Sequence, residues 1–246
     1  MKRFIQTVEI PENAVLLDTR AKKDYLAGHM EGARHGEFLE KFIIRNPEQL
    51  EFFNLSLEAW IQGLGLNGTE QIVVYDAGRD TRAARAAWAL EYAGLSVQVL
   101  RQGVQGTLET TLPDFIIPSQ FKLKPNKALL ATAEDILEGS ALIIDARDSL
   151  EFAGQKIPPG ATRGGHIPNA INLDWQELVD EHGIKSVAEI DAVLRGIPQN
   201  RQIIVHCQSG ARSSVLFQAL RERGYQVANY LGSMNEWLND PNLPVE

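Results

Sequence analysis

Ile203-Ile204-Val205-His206-Cys207-Gln208-Ser209-Gly210-Ala211-Arg212-Ser213-Ser214 carries the reading of this chain. An apolar β-branched run ends at the only cysteine in the sequence. A short polar loop containing Gly210 follows, and a helical pattern opens at Arg212–Ser213. From Ser213 to Arg223, Val215, Leu216, Ala219 and Leu220 share one helical face, and Gly224 suits a C-terminal cap. A second apolar strand is expected over Gln226–Tyr230. A cysteine between a strand end and a helix start sits where backbone N–H groups converge. There the thiolate is favoured over the thiol.

Outward from this stretch, the sequence repeats itself. Leu16-Leu17-Asp18-Thr19-Arg20 matches Ile143-Ile144-Asp145-Ala146-Arg147. Gly28-His29-Met30-Glu31-Gly32-Ala33 matches Gly165-His166-Ile167-Pro168-Asn169-Ala170. Ile72-Val73-Val74-Tyr75-Asp76 matches Ile203-Ile204-Val205-His206-Cys207, and Ala89–Val97 matches Ala219–Val227. The second copy carries a turn-rich insertion, Gly154–Gly160, which reads as a surface loop. Each copy alternates short apolar runs with amphipathic helical segments. That order predicts two α/β domains, each a mainly parallel central sheet flanked by helices, with ligands at the carboxyl ends of strands. We expect domains over 1–118 and 127–246, linked near Pro118–Asn126, where prolines and polar residues break the periodicity.

Composition narrows the function. The chain has 246 residues, 44% hydrophobic and 23% charged, an ordinary globular balance. A net charge of −8 argues against a nucleic-acid partner. No apolar run approaches membrane-spanning length, and Gln6, Thr7 and Glu9 interrupt any signal-peptide core. One cysteine forms no internal disulfide, which suits a reducing, cytoplasmic setting. The five histidines are scattered, with no metal-ligand spacing.

The Cys207 loop has the means to hold a thiolate. An ordinary thiol, with pKa about 8.5, is only a few per cent ionised at neutral pH. A reactive one needs N–H donors, a helix N-terminus and access from solvent. Gly210 lets the backbone curl, and Ser209 and Ser213 offer hydroxyls. Arg212 either reaches an anionic substrate or points to solvent. Ser213 or Ser214 alternatively caps the helix. His206 precedes Cys207, so its side chain belongs to the opposite face of the strand, and it is not assigned as a base.

At these residues the chain resembles the rhodanese (thiosulfate sulfurtransferase) family, in its tandem-domain form. The resemblance rests on Asp145-Ala146-Arg147, Gly165-His166-Ile167-Pro168-Asn169-Ala170, the loop Cys207–Ser213 and the closing Tyr230–Trp237, and it spans both halves. It implies an active second copy and an inactive first one, because Asp76 occupies the cysteine position. It further implies ping-pong transfer of sulfane sulfur through a Cys207 persulfide, from thiosulfate or a related donor to cyanide or a thiol, including a protein thiol. No cofactor or metal is implied. Substrate contacts are expected from Gln208, Ser209, Gly210, Ala211, Arg212, Ser213 and Arg147, although the Asp145–Arg147 pair also reads as an internal ion pair. His166, matched by His29, reads as architectural, and Arg79 and Arg82 of the first copy as salt-bridged surface residues.

Two departures matter. A second basic residue shortly after Asp-x-Arg, used by some tandem members to hold the donor anion, is missing here. Arg163 or Arg212 is the expected substitute. The loop also differs from the Cys-Gly-Ser-Gly-Val-Thr type associated with mercaptopyruvate, so thiosulfate or a protein persulfide is the expected donor. A cysteine phosphatase is the rival enzyme, but only four residues separate Cys207 from Arg212, where that loop uses five. A non-enzymatic rhodanese-like binding protein is the rival outside catalysis.

Overall fold

Short runs rich in Ile, Val and Leu pair side by side because both faces of such strands shun water. The computed structural model describes residues 2–38, 43–113 and 115–246. In the first copy, five parallel strands lie in the order Phe4–Ile5, Val97–Leu100, Ile72–Tyr75, Val15–Asp18, Arg34–His35. In the second copy the order is Leu130–Ala131, Val227–Tyr230, Ile203–His206, Leu142–Asp145, Ile171–Asn172. The two orders are the same. Register repeats as well: Asp18 lies opposite Tyr75, and Asp145 lies opposite His206. The fold is therefore α/β, with two parallel sheets flanked by helices.

The helix after each central strand is buried over most of its length. Arg82–Tyr92 buries Trp88 and Tyr92, which pack with Phe53 of the helix Pro47–Gly63. Ala211–Glu222 buries Ser213 through Leu220 without a break. A helix covered this fully has no solvent face to show in its periodicity, and its rows of Ala and small polar residues let it lie close to the sheet. No helix among the described residues is long and apolar enough to cross a membrane.

The chain divides into two compact units, and each includes a segment from the other's stretch of sequence. One unit takes residues 1–39, 51–126 and 179–185; the other takes 40–50, 127–178 and 186–246. In the first unit, the antiparallel hairpin Val179–Asp180 with Gly183–Ile184 is anchored on Arg101. The Ile184 N–H donates to the Arg101 carbonyl at 2.9 Å, and the Arg101 guanidinium donates to the Lys185 carbonyl. Gly183 has φ +108°, and a Cβ there would lie 2.2 Å from the Arg101 oxygen. The segment 118–126, read from sequence as a link, packs on this same unit. Asn126 N–H donates to the Tyr92 carbonyl at 2.7 Å and Leu123 N–H to Glu58 Oε2 at 2.8 Å. The insertion Gly154–Gly160 runs mostly on the surface.

Candidate active site

The strand Ile203–His206 delivers Cys207 to the carboxyl edge of the second sheet, and the helix Ala211–Glu222 begins four residues later. Gly210, immediately before the helix, has φ +81°. A Cβ there would stand 2.9 Å from Leu231 Cδ2, so both the backbone and the space favour glycine.

The loop is tied down by the segment that closes the fold. Cys207 N–H donates to Ser233 Oγ at 3.2 Å, and that hydroxyl donates to the Tyr230 carbonyl at 2.6 Å. The Met234 and Asn235 N–H groups donate to the Cys207 and Gln208 carbonyls at 3.1 and 2.9 Å. Gln208 Nε2 reaches Asn235 Oδ1 at 2.6 Å. On the helix side, Ser214 Oγ donates to the Gly210 carbonyl at 2.6 Å, and Asn229 Nδ2 donates to the same oxygen at 3.3 Å. Ser213 Oγ donates to Asn229 Oδ1 at 2.7 Å and also lies within reach of the cysteine sulfur. Its single proton serves one acceptor at a time.

Cys207 is 1% exposed, where the sequence reading expected an exposed thiol. Backbone N–H groups of Ser209 and Ser213 face the sulfur. Burial pushes the thiol up, but the Arg212 charge and the Ser213 and Ser209 N–H groups outweigh it, leaving the pKa below the ordinary thiol value. Arg212 is held by an acidic partner that the loop sequence does not contain. It forms a bidentate pair with Glu151, Nη1 to Oε2 at 2.6 Å and Nη2 to Oε1 at 3.0 Å, while its charge still reaches Cys207.

Arg147 departs from the expectation that it contacts substrate. It is fully buried, donates through Nε and Nη2 to both Asp145 oxygens, and gives Nη2 to the Gly165 carbonyl at 2.8 Å. Arg20 repeats this geometry on Asp18 and Gly28. His166 stacks on Phe152 with ring centres 3.7 Å apart and bonds its carbonyl at 2.9 Å. His29 does the same with Tyr25. Asp-x-Arg and Gly-His thus form one internal staple, built twice. Arg163 is also committed elsewhere: its guanidinium donates to the carbonyls of Trp237, Leu238, Asp240 and Leu243. Its Nε and Nη2 are thus turned to the backbone of the closing segment. His206 is fully buried, and burial pushes its pKa below the ordinary imidazole value.

In the first unit, Asp76 takes the cysteine position. Its carboxylate accepts N–H bonds from Gly78 at 2.7 Å and Ala83 at 2.9 Å. Arg82 pairs with Asp80, and Arg79 is exposed. Among the described residues, no group of three or more His, Cys, Asp or Glu side chains is placed to hold a metal.

Four residues of this site escaped the sequence reading: Glu151, Asn229, Ser233 and Asn235. Asn229 alone left a trace, as a strand-averse residue inside an apolar strand. The others act across 61, 26 and 27 residues of chain.

Comparison with known proteins agrees with the repeat. The rhodanese-like domain model matches residues 4–110 and again 129–240. The 3-mercaptopyruvate sulfurtransferase of Escherichia coli K12 is 33% identical, covering 93% of this chain and 87% of that protein. The thiosulfate sulfurtransferase of Pseudomonas aeruginosa is 29% identical, covering 94% and 90%. A crystal structure of a probable thiosulfate sulfurtransferase superposes with a TM-score of 0.81 at 33% identity, covering 97% of this chain and 99% of that one. With its duplicated sheet order, its two Asp-x-Arg staples and a domain match in each half, the chain belongs to the rhodanese family.

Proposed function

We propose that this chain is a sulfurtransferase that carries sulfane sulfur on Cys207 and draws it from thiosulfate. The observation that carries the reading is Cys207 itself: a thiol held below its ordinary pKa by Arg212 and by loop N–H groups at the start of a buried helix. The Cys207 thiolate attacks the outer sulfur of thiosulfate. A new S–S bond forms to Cys207, the S–S bond of thiosulfate breaks, and its electron pair leaves with sulfite. The terminal persulfide sulfur keeps the negative charge, so charge balances, and the loop N–H groups that held the thiolate hold the persulfide. The added sulfur extends the buried side chain outward to a thiophilic acceptor. Cyanide attacks that sulfur, thiocyanate leaves, and the Cys207 thiolate returns. In cells a small or protein thiol takes the place of cyanide.

The first unit takes no sulfur in this account. Asp76 offers a carboxylate already engaged by two backbone N–H groups. The departure of the loop from the Cys-Gly-Ser-Gly-Val-Thr type supports thiosulfate over mercaptopyruvate. The test is steady-state thiocyanate formation with each donor. The reading expects a higher kcat/KM with thiosulfate and no turnover by Cys207→Ser. A preference for 3-mercaptopyruvate would move the donor and leave Cys207 in place. Undiminished turnover by Cys207→Ser would remove Cys207.

A further inference from the structure

We infer that Glu151 is a positioning residue for the sulfur chemistry, gripping the two terminal guanidinium nitrogens of Arg212 so that its charge keeps bearing on Cys207. The inference rests on the reading of Cys207 as the sulfur carrier. Glu151 is almost fully buried, and three-quarters of the Arg212 side chain is covered. Burying such a pair costs desolvation that its attraction only partly returns, so stability is a poor reason for it. A flexible arginine at a partly open site is also free to turn into water unless something fixes it.

The chain builds a dedicated support for this carboxylate. Glu151 sits on the short helix Ser149–Phe152, capped by Asp148, whose Oδ1 accepts the Glu151 N–H at 2.9 Å. Lys156 holds Asp148 Oδ2 at 2.6 Å and lies 3.9 Å from Glu151. Cys207, Asp145 and Lys156 are among the other charges that bear on Arg212. His206 is fully buried, with Nε2 3.8 Å from Asp145 Oδ2, and feels the Arg147 charge.

The first unit serves as an internal control. By the offsets of the repeat, Asp24 stands at the Glu151 position and Thr81 at the Arg212 position. The cation there is gone, and Arg82 turns to Asp80 instead. A cavity of about 420 Å³ opens beside Asp24, lined also by Arg20, Ala77, Asp80 and Arg82. The ion pair is present in the copy that has the cysteine and absent from the copy that lacks it. The Asp-x-Arg and Gly-His staple, which serves the fold, is kept in both.

The test is the pH profile of Cys207 alkylation by iodoacetamide in the full-length protein, read beside turnover. Glu151→Gln is expected to raise the alkylation midpoint by about one pH unit, the lower end of what a nearby charge does to a pKa. Thiocyanate formation at neutral pH should fall about tenfold, with the loss in kcat rather than KM and recovery at higher pH. Glu151→Asp should restore part of both. On an Arg212→Gln background, Glu151→Gln should add nothing, because Glu151 acts only through Arg212. A midpoint that falls or stays, or an effect that persists without Arg212, overturns the inference. If Glu151→Gln does not fold, Glu151→Asp decides by the same midpoint, and a wild-type value contradicts the inference. Alkylation needs only the thiol, so it reports on Glu151 even if Cys207 proves not to carry sulfur.

Discussion

Asp76 and Cys207 occupy one position of the repeat, and each turns a buried acidic group toward the start of a buried helix. For Asp76 the burial dominates: it pushes the carboxyl from its ordinary 3.8 up to about 6, against the pull of the Ala83 and Gly78 N–H bonds. The folded protein therefore keeps this proton where the unfolded chain has lost it. That stabilisation is complete below about 3.8 and is lost as pH rises through about 6. Urea melts of the full chain should show stability declining over this window by on the order of 2–3 kcal/mol from this group. Asp76→Asn should flatten that part of the curve, and an unchanged slope would contradict the assignment. At this scale Cys207 and Asp76 were legible, because a lone thiol and its replacement stand out in an aligned repeat. Glu151 and Ser233 were not, because their partners lie far off in sequence and a Glu or Ser carries no local sign of what it will meet. Arg147 was legible as a residue but not in its role, since only its full burial separates a strut from a substrate contact.

At the scale of elements, β-branched runs gave the strands closely: the expected strand Ile203–His206 is the observed one. The helix expected to open at Arg212–Ser213 begins at Ala211. The left-handed Gly210 ends the loop in a single residue, so the helix starts directly after it. Gly210→Ala would place a methyl 2.9 Å from Leu231 Cδ2 in a conformation that alanine disfavours. We expect a loss of about 1–3 kcal/mol in stability, seen as a lower melting temperature by circular dichroism. Turnover should fall further, because the distorted turn carries the Ser209 and Ser213 N–H groups that face the sulfur. A variant with native melting and native turnover would show that the turn is not needed. The hairpin of Val179–Asp180 with Gly183–Ile184, which joins the first unit, was invisible in sequence. Its partner is the backbone of Arg101, about eighty residues earlier, and backbone oxygens leave no signature in composition.

Across the whole molecule, one architecture is built twice, and the cysteine loop stands in one copy. Strand order and staples are the same in both units, while the thiol and the Arg212–Glu151 ion pair occur in the second alone. With a single cysteine in the chain, no internal thiol can resolve a persulfide, so it should persist until an outside acceptor arrives. Intact-mass measurement after incubation with thiosulfate tests this most directly. The account predicts a gain of one sulfur atom per chain, located in the peptide bearing Cys207, absent in Cys207→Ser and removed by cyanide. No gain in the wild type, or a gain that survives in Cys207→Ser, would contradict it.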